Sequence, residues 1–219
     1  GLDGVGLHNL RTLQEHLTLN NINRITHKGF ISSFISIPPY TPCAWTSIFT
    51  GVNPGKHNVY GFYKISKGNN FQISLTLSHD VKYPRIFEIL AIHNRRSVII
   101  NVPFVYPIHY LVGLNNLIIV SDWAAPRQFI HPKKYEEKYK DYLVEPPHKW
   151  SLTTSVEDYV KQVKDFLRER LELYHELLEE VAYDLFILIF SELDWLMHKV
   201  PSIIQGVGLN MVYDVLSLI

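Results

Sequence analysis

VEDYVKQVKDFLRERLELYHELLEEVAYDLFILIF, residues 156–190, holds two different periodicities in one run. Its first part places Tyr159, Val163, Phe166, Leu167, Leu171, Tyr174, Leu177 and Leu178 on one side and charges on the other, which predicts an amphipathic helix over 156–181. The helix leads straight into DLFILIF, residues 184–190, which is apolar throughout, as a central strand covered on both faces should be. A long helix feeding a buried strand is the repeating unit of an α/β domain.

Working outward, the same alternation recurs. SVIINV, residues 97–102, reads as a β-branched buried strand closed by Pro103. It is preceded by a helix over 85–94 and followed by a short apolar strand over 117–120. Residues 30–37, rich in Phe, Ile and Ser, read as a strand ending at Pro38 and Pro39. Leu7, Leu10, Leu13 and Leu17 predict a helix over 7–19, and a further helix begins at Met211. The segments 60–66 and 71–77 suggest a hairpin outside the main sheet. Residues 121–150, rich in Pro, Lys, Tyr and His, read as a small cap insertion with one short helix, facing the substrate. The expected fold is α/β, a mostly parallel central sheet with helices on both faces, and 219 residues suit a single domain, 1–219, carrying that insertion.

Composition narrows the function. With 47% hydrophobic and 19% charged residues the chain can build a core, and 21 basic against 21 acidic residues leave no net field for nucleic acid or an anionic membrane. No apolar run approaches the roughly 20 residues of a membrane span. A single cysteine, Cys43, forms no intrachain disulfide, and the start GLDGVGLHNL lacks the features of a signal peptide, so a reducing, cytoplasmic setting is expected. The sequence carries no marker of oligomeric state.

In α/β sheets reactive groups collect at the carboxyl ends of the strands, and three places qualify. Asp3 lies in the Gly-rich turn GLDGVG and is either a turn residue or a carboxylate at the sheet edge. Thr41 precedes Pro42, with Gly51 after the last turn of a helix over 42–50, so it is either that helix's N-cap or a hydroxyl held where helix N–H groups favour an anion. Asp194 and His198 stand four apart on a predicted helical turn, as an ion pair or as two ligands of one divalent metal. Lys56 and His57, in NPGKHNVYG, shape a turn, and Lys56 could also steer an anion. His8, His16, His93 and His175 lie on predicted helices and read as surface residues.

PPYTPCAWTSIFTGVNPGKHNVYGF, residues 38–62, resembles the nucleophile region of the alkaline phosphatase superfamily, and most of all the prokaryotic type I phosphodiesterase/nucleotide pyrophosphatase group. GLDG at 1–4, INVPFVYPI at 100–108, IVSDWAAP at 119–126 and FSELDWLMHK at 190–199 follow in the family's order. The resemblance implies a metal-dependent hydrolase of phosphodiester or nucleotide pyrophosphate bonds, acting on a phosphoester or nucleotide small molecule through a phosphothreonine intermediate. It implies Thr41 as nucleophile and metal ligand, Asp3 as ligand of the ion shared with it, and Asp194 and His198 as ligands of a second ion. The implied cofactors are two divalent ions, zinc or manganese.

This sequence departs from the family pattern in places. The family's later strand ending in Asp-His-Gly would lie beyond Ile219, and a first strand would precede Asp3, so the chain reads as clipped at both ends. Ala44 stands where eukaryotic members carry a phosphate-binding asparagine, and Asn58 replaces the glycine after PGKH. A sulfatase, phosphonate hydrolase or phosphomutase on the same scaffold is the alternative, as is a non-catalytic metal- or ligand-binding fragment.

Overall fold

The computed structural model describes residues 1–66, 71–107, 116–122, 125, 128–142, 153–205 and 208–219. In chain order its main elements are α1 (Leu7–His16), α2 (Asn20–Lys28), α3 (Thr41–Thr50), α4 (Pro54–His57), β1 (Tyr63–Ser66), β2 (Gln72–Leu75), α5 (Ile86–Ile92) and β3 (Ser97–Ile100). There follow β4 (Leu117–Val120), β5 (Ile130–His131), α6 (Lys133–Lys138), α7 (Val156–Glu180), β6 (Leu185–Leu188), α8 (Glu192–Lys199) and α9 (Leu209–Leu216). They fall into two compact units: residues 1–34, 146–171 and 190–219 in one, residues 35–145 and 172–189 in the other.

The second unit contains a four-stranded sheet in the order β5-β4-β3-β6. β3 pairs in parallel with β4 and with β6, Ile99 facing Ile119 and Ile187, while the two-residue β5 runs antiparallel. Because side chains alternate along a strand, Ile99, Leu117 and Ile119 share a face, and they pack with Phe49 of α3 and Phe87 and Ala91 of α5. The opposite residues Val98, Ile100 and Val120 are as fully buried. A hydrogen bond from the Asn101 side chain to Tyr174 ties α7 to the end of β3. β1 and β2 form the expected antiparallel hairpin in a separate sheet.

The first unit is helical. Leu13 of α1, Tyr159, Val163, Phe166 and Leu167 of α7, Leu193 and Leu196 of α8 and Val212 and Val215 of α9 make its core.

Three expectations are corrected and one helix is added. Residues 30–37 belong to no strand among the described residues, and Phe30, Phe34 and Ile35 are 92%, 96% and 84% exposed. Their apolar character favours burial, but a strand also needs a neighbour to bond to, and none of the described residues pairs with this run. Residues 184–190 do not form a central strand covered on both faces. β6 lies at one side of the four-stranded sheet with half-buried side chains, and past its end Phe190 bridges Leu2. Residues 20–28, unassigned from sequence, form α2. Thr41 is not an N-cap: it is the first residue of α3, and extended Tyr40 precedes it as the cap position. Of the 121–150 segment, 123–124, 126–127 and 143–150 lie outside the described residues; the remainder contains β5 and the expected short helix, α6.

Candidate active site

Backbone pairing places Asp3. Leu2 and Phe190 form a parallel bridge in which the Phe190 amide donates to Gly1 O and the Asp3 amide donates to Phe190 O, both at 2.8 Å. The chain then turns through Gly4, whose φ of +75° a residue with a Cβ adopts only at a cost. The Asp3 carboxylate, 7% exposed, accepts the Gly4 N–H at 3.1 Å.

The stretch after Phe190 coils into α8, whose first turn carries Asp194. One turn on, His198 Nε2 lies 3.5 Å from Asp194 Oδ2, so the spacing of four does bring the two side chains together. The imidazole is 81% exposed and the carboxylate 26%. Burial pushes the Asp194 carboxyl above the usual carboxylate range, and the nearby His198 opposes the shift. Gly4 packs directly on this residue. A Cβ at Gly4 would stand 2.8 Å from Asp194 Oδ1 and 2.7 Å from Met197 Cε, so the GLDG turn and α8 meet where a side chain would not fit.

In the second unit α3 starts at Thr41, with Pro42 where a missing N–H costs nothing, and ends at Gly51, left-handed at φ +69° with its amide on Ser47 O. The half-buried Thr41 therefore sits at the positive end of a ten-residue helix. Lys56 is exposed on α4, and Asn58 caps that turn at φ +66°, a conformation asparagine tolerates better than most residues. His57 is fully buried. It accepts the Val59 N–H on Nδ1 at 3.1 Å, so its proton resides on Nε2, which donates to Ser47 Oγ at 3.0 Å.

Two arrangements escaped the sequence reading. Asn101, at the carboxyl end of β3 with φ +59°, donates to Tyr174 Oη at 2.8 Å and to Ile189 O at 3.0 Å, and accepts from Tyr142 Oη at 3.1 Å. Arg170 of α7 and Glu192 of α8 form a buried ion pair at 2.8 Å. For the second the sequence marked the members but not their pairing: Arg170 stands four residues after Phe166 on the apolar side of the helix, and Glu192 comes two residues after the strand run.

Among the described residues no group of three or more His, Cys, Asp or Glu is arranged to hold a metal ion. The Asp194 and His198 pair nevertheless fits a divalent ion in kind: a carboxylate raised by burial and an imidazole on one helical face, oxygen and nitrogen donors suited to zinc or manganese. No described helix is long and apolar enough to cross a membrane.

The fold is α/β and alkaline phosphatase-like. It matches solved structures of phosphonoacetate hydrolase from Sinorhizobium meliloti 1021, in complex with phosphonoacetate and with phosphonoformate, each at TM-score 0.57 and 16% identity. Each match covers 99% of this chain and 51% of the other, so the chain spans about half the length of these structures. The sequence defines the family more closely: residues 1–208 match type I phosphodiesterase / nucleotide pyrophosphatase, and the chain belongs to that family. No curated protein matches it.

Proposed function

We propose that the chain carries the nucleophile and part of the metal shell of a hydrolase acting on phosphodiester or nucleotide pyrophosphate bonds. The family match over residues 1–208, with Thr41 at the N-terminus of α3, carries this reading. In it the Thr41 hydroxyl loses its proton and its oxygen bonds to phosphorus as the ester or anhydride oxygen departs. Water then attacks the phosphothreonine, which still carries the retained ester group of a diester, releasing a phosphomonoester, or phosphate where the attacked group was terminal, and restoring the hydroxyl. The N–H groups of the first turn of α3 face the anion, and exposed Lys56 draws it in. Asp194 and His198 would hold one divalent ion, zinc or manganese, and the family resemblance makes Asp3 and Thr41 each a candidate metal ligand. When bound, such ions supply charge neutralisation and a lowered hydroxyl pKa.

The same proposal treats both units as parts of one alkaline phosphatase-like domain, with 121–150 as a substrate-facing cap, in a cytoplasmic setting suited to the lone, buried Cys43. A phosphonate hydrolase is the second reading, favoured by the phosphonoacetate hydrolase structures.

The test compares a chromogenic phosphodiester, a phosphomonoester and phosphonoacetate with added zinc or manganese and with chelator, and seeks a phosphoryl adduct on Thr41, carrying the retained ester group where the substrate is the diester, by mass spectrometry after acid quench. Metal-dependent diester turnover with labelled Thr41 supports the proposal. Faster release from phosphonoacetate selects the second reading, and absence of turnover on all three overturns both.

A further inference from the structure

We infer that Arg170 and Glu192 are positioning residues that set the orientation of the Asp194 and His198 pair; the inference rests on the metal reading proposed above. The Arg170 side chain is 2% exposed and that of Glu192 is wholly buried, with Nη1 donating to Oε1 at 2.8 Å. One turn earlier on α7, Phe166 lies under the same guanidinium, 4.9 Å from ring centre to Cζ, and meets Trp195 of α8 edge-on at 5.5 Å. The long helix thus grips α8 at Glu192 and at Trp195, the residues that bracket Asp194 in the helical turn. Leu193 and Leu196, 1% and 0% exposed, fill the remaining inward positions.

Helical geometry turns that grip into control of the candidate ligands. Residues along α8 are separated by about 100° about its axis, so anchoring Glu192 and Trp195 fixes the rotation of the helix and with it the direction of Asp194 and His198. A dry ion pair is a poor source of net stability, because desolvation offsets most of its attraction. What a charged hydrogen bond adds over an apolar contact is direction. On the other side, the close approach of Gly4 to Asp194 leaves α8 little room to roll.

The experiment is a calorimetric zinc and manganese titration of the 219-residue chain, with thermal melting of every variant. His198→Ala identifies which heat belongs to this site. The double variant R170M/E192L replaces the pair by apolar groups; it should melt cooperatively yet bind metal at this site about tenfold or more weakly. Arg170→Lys keeps the charge but loses the planar guanidinium that lies over Phe166, and should fall between. Wild-type affinity in the folded double variant overturns the inference while leaving the metal reading intact. If the double variant does not fold, wild-type affinity in Arg170→Lys overturns it instead. A wild-type chain that binds no metal at this site removes the metal reading and the inference together.

Discussion

His57 Nε2 lies 3.0 Å from the hydroxyl of Ser47, fastening the turn of residues 54–57 to the middle of the helix that Thr41 opens. The Val59 N–H on the other ring nitrogen admits one tautomer, and a doubly protonated ring would set two N–H groups against each other. Burial accordingly holds His57 below the usual histidine pKa of 6.5, and the half-buried His131 is lowered for the same reason.

The sign of the pH dependence follows. A histidine with a depressed folded pKa takes up its proton more readily in the unfolded chain, so its contribution is fully present above the unfolded value and is lost as pH falls through the folded one. Urea unfolding should therefore show stability dropping as pH is lowered from about 7 to about 5. His57→Ala should cost about 1–3 kcal/mol near neutrality, the range for losing buried hydrogen bonds. It should also flatten the pH slope, leaving the share due to His131. An unchanged slope in that variant would remove His57 as a source of the effect.

Thr41→Ala separates chemistry from folding. Because Tyr40 occupies the cap position, the variant loses no helix cap and should shift stability by no more than about 0.5 kcal/mol. Turnover of a chromogenic diester should fall to background, with no phosphorylated protein after acid quench. Retained turnover would remove Thr41 as nucleophile, and a stability loss near 1 kcal/mol would show the hydroxyl acting as a cap after all.

What the sequence disclosed was set by local physics. The runs SVII and LIIV were legible because a strand buried on both faces has no polar phase to hide it. Gly51 and Asn58 were legible because few residues accept a left-handed backbone. The 30–37 run failed because composition records a side chain's affinity for the core and says nothing about where a pairing strand stands. Helix α2 was hidden by its asparagines, which have poor helical propensity even though Ile22 and Ile25 keep a helical spacing. The i,i+4 meeting of Asp194 and His198 was legible within one helix. The pairing of Arg170 with Glu192, 22 residues away, could emerge only from packing.

Arg85 offers a stability test. Its side chain, 2% exposed, pairs with Glu88 and donates from Nη1 to Phe104 O at 2.5 Å, while the Arg85 N–H is capped by Glu88 Oε2 at 2.7 Å. Phe104 holds a positive φ of 60°, uncommon for a bulky residue, and Arg85 helps keep it there. Removing one member of a buried ion pair strands the other, so Arg85→Ala should destabilise by about 3–5 kcal/mol in urea melts. A loss below about 1 kcal/mol would mean that water reaches Glu88 and that the pair contributes as a surface bridge does.

Gly4→Ala tests the turn that carries Asp3. The new Cβ would be held at φ +75°, a conformation costing an L residue roughly 1–2 kcal/mol, and it would press on Asp194 Oδ1 at 2.8 Å and Asp194 Cα at 3.0 Å. Met197 Cε, at 2.7 Å, is the end of a flexible side chain and can withdraw, but the Asp194 backbone cannot without moving α8. The variant should therefore lose about 2 kcal/mol or more of stability. It should also weaken zinc or manganese binding at the Asp194 and His198 pair, read by titration below the melting temperature. Loss of stability with metal affinity unchanged would mean that the GLDG turn yields alone and that Asp194 is oriented entirely from within its own helix.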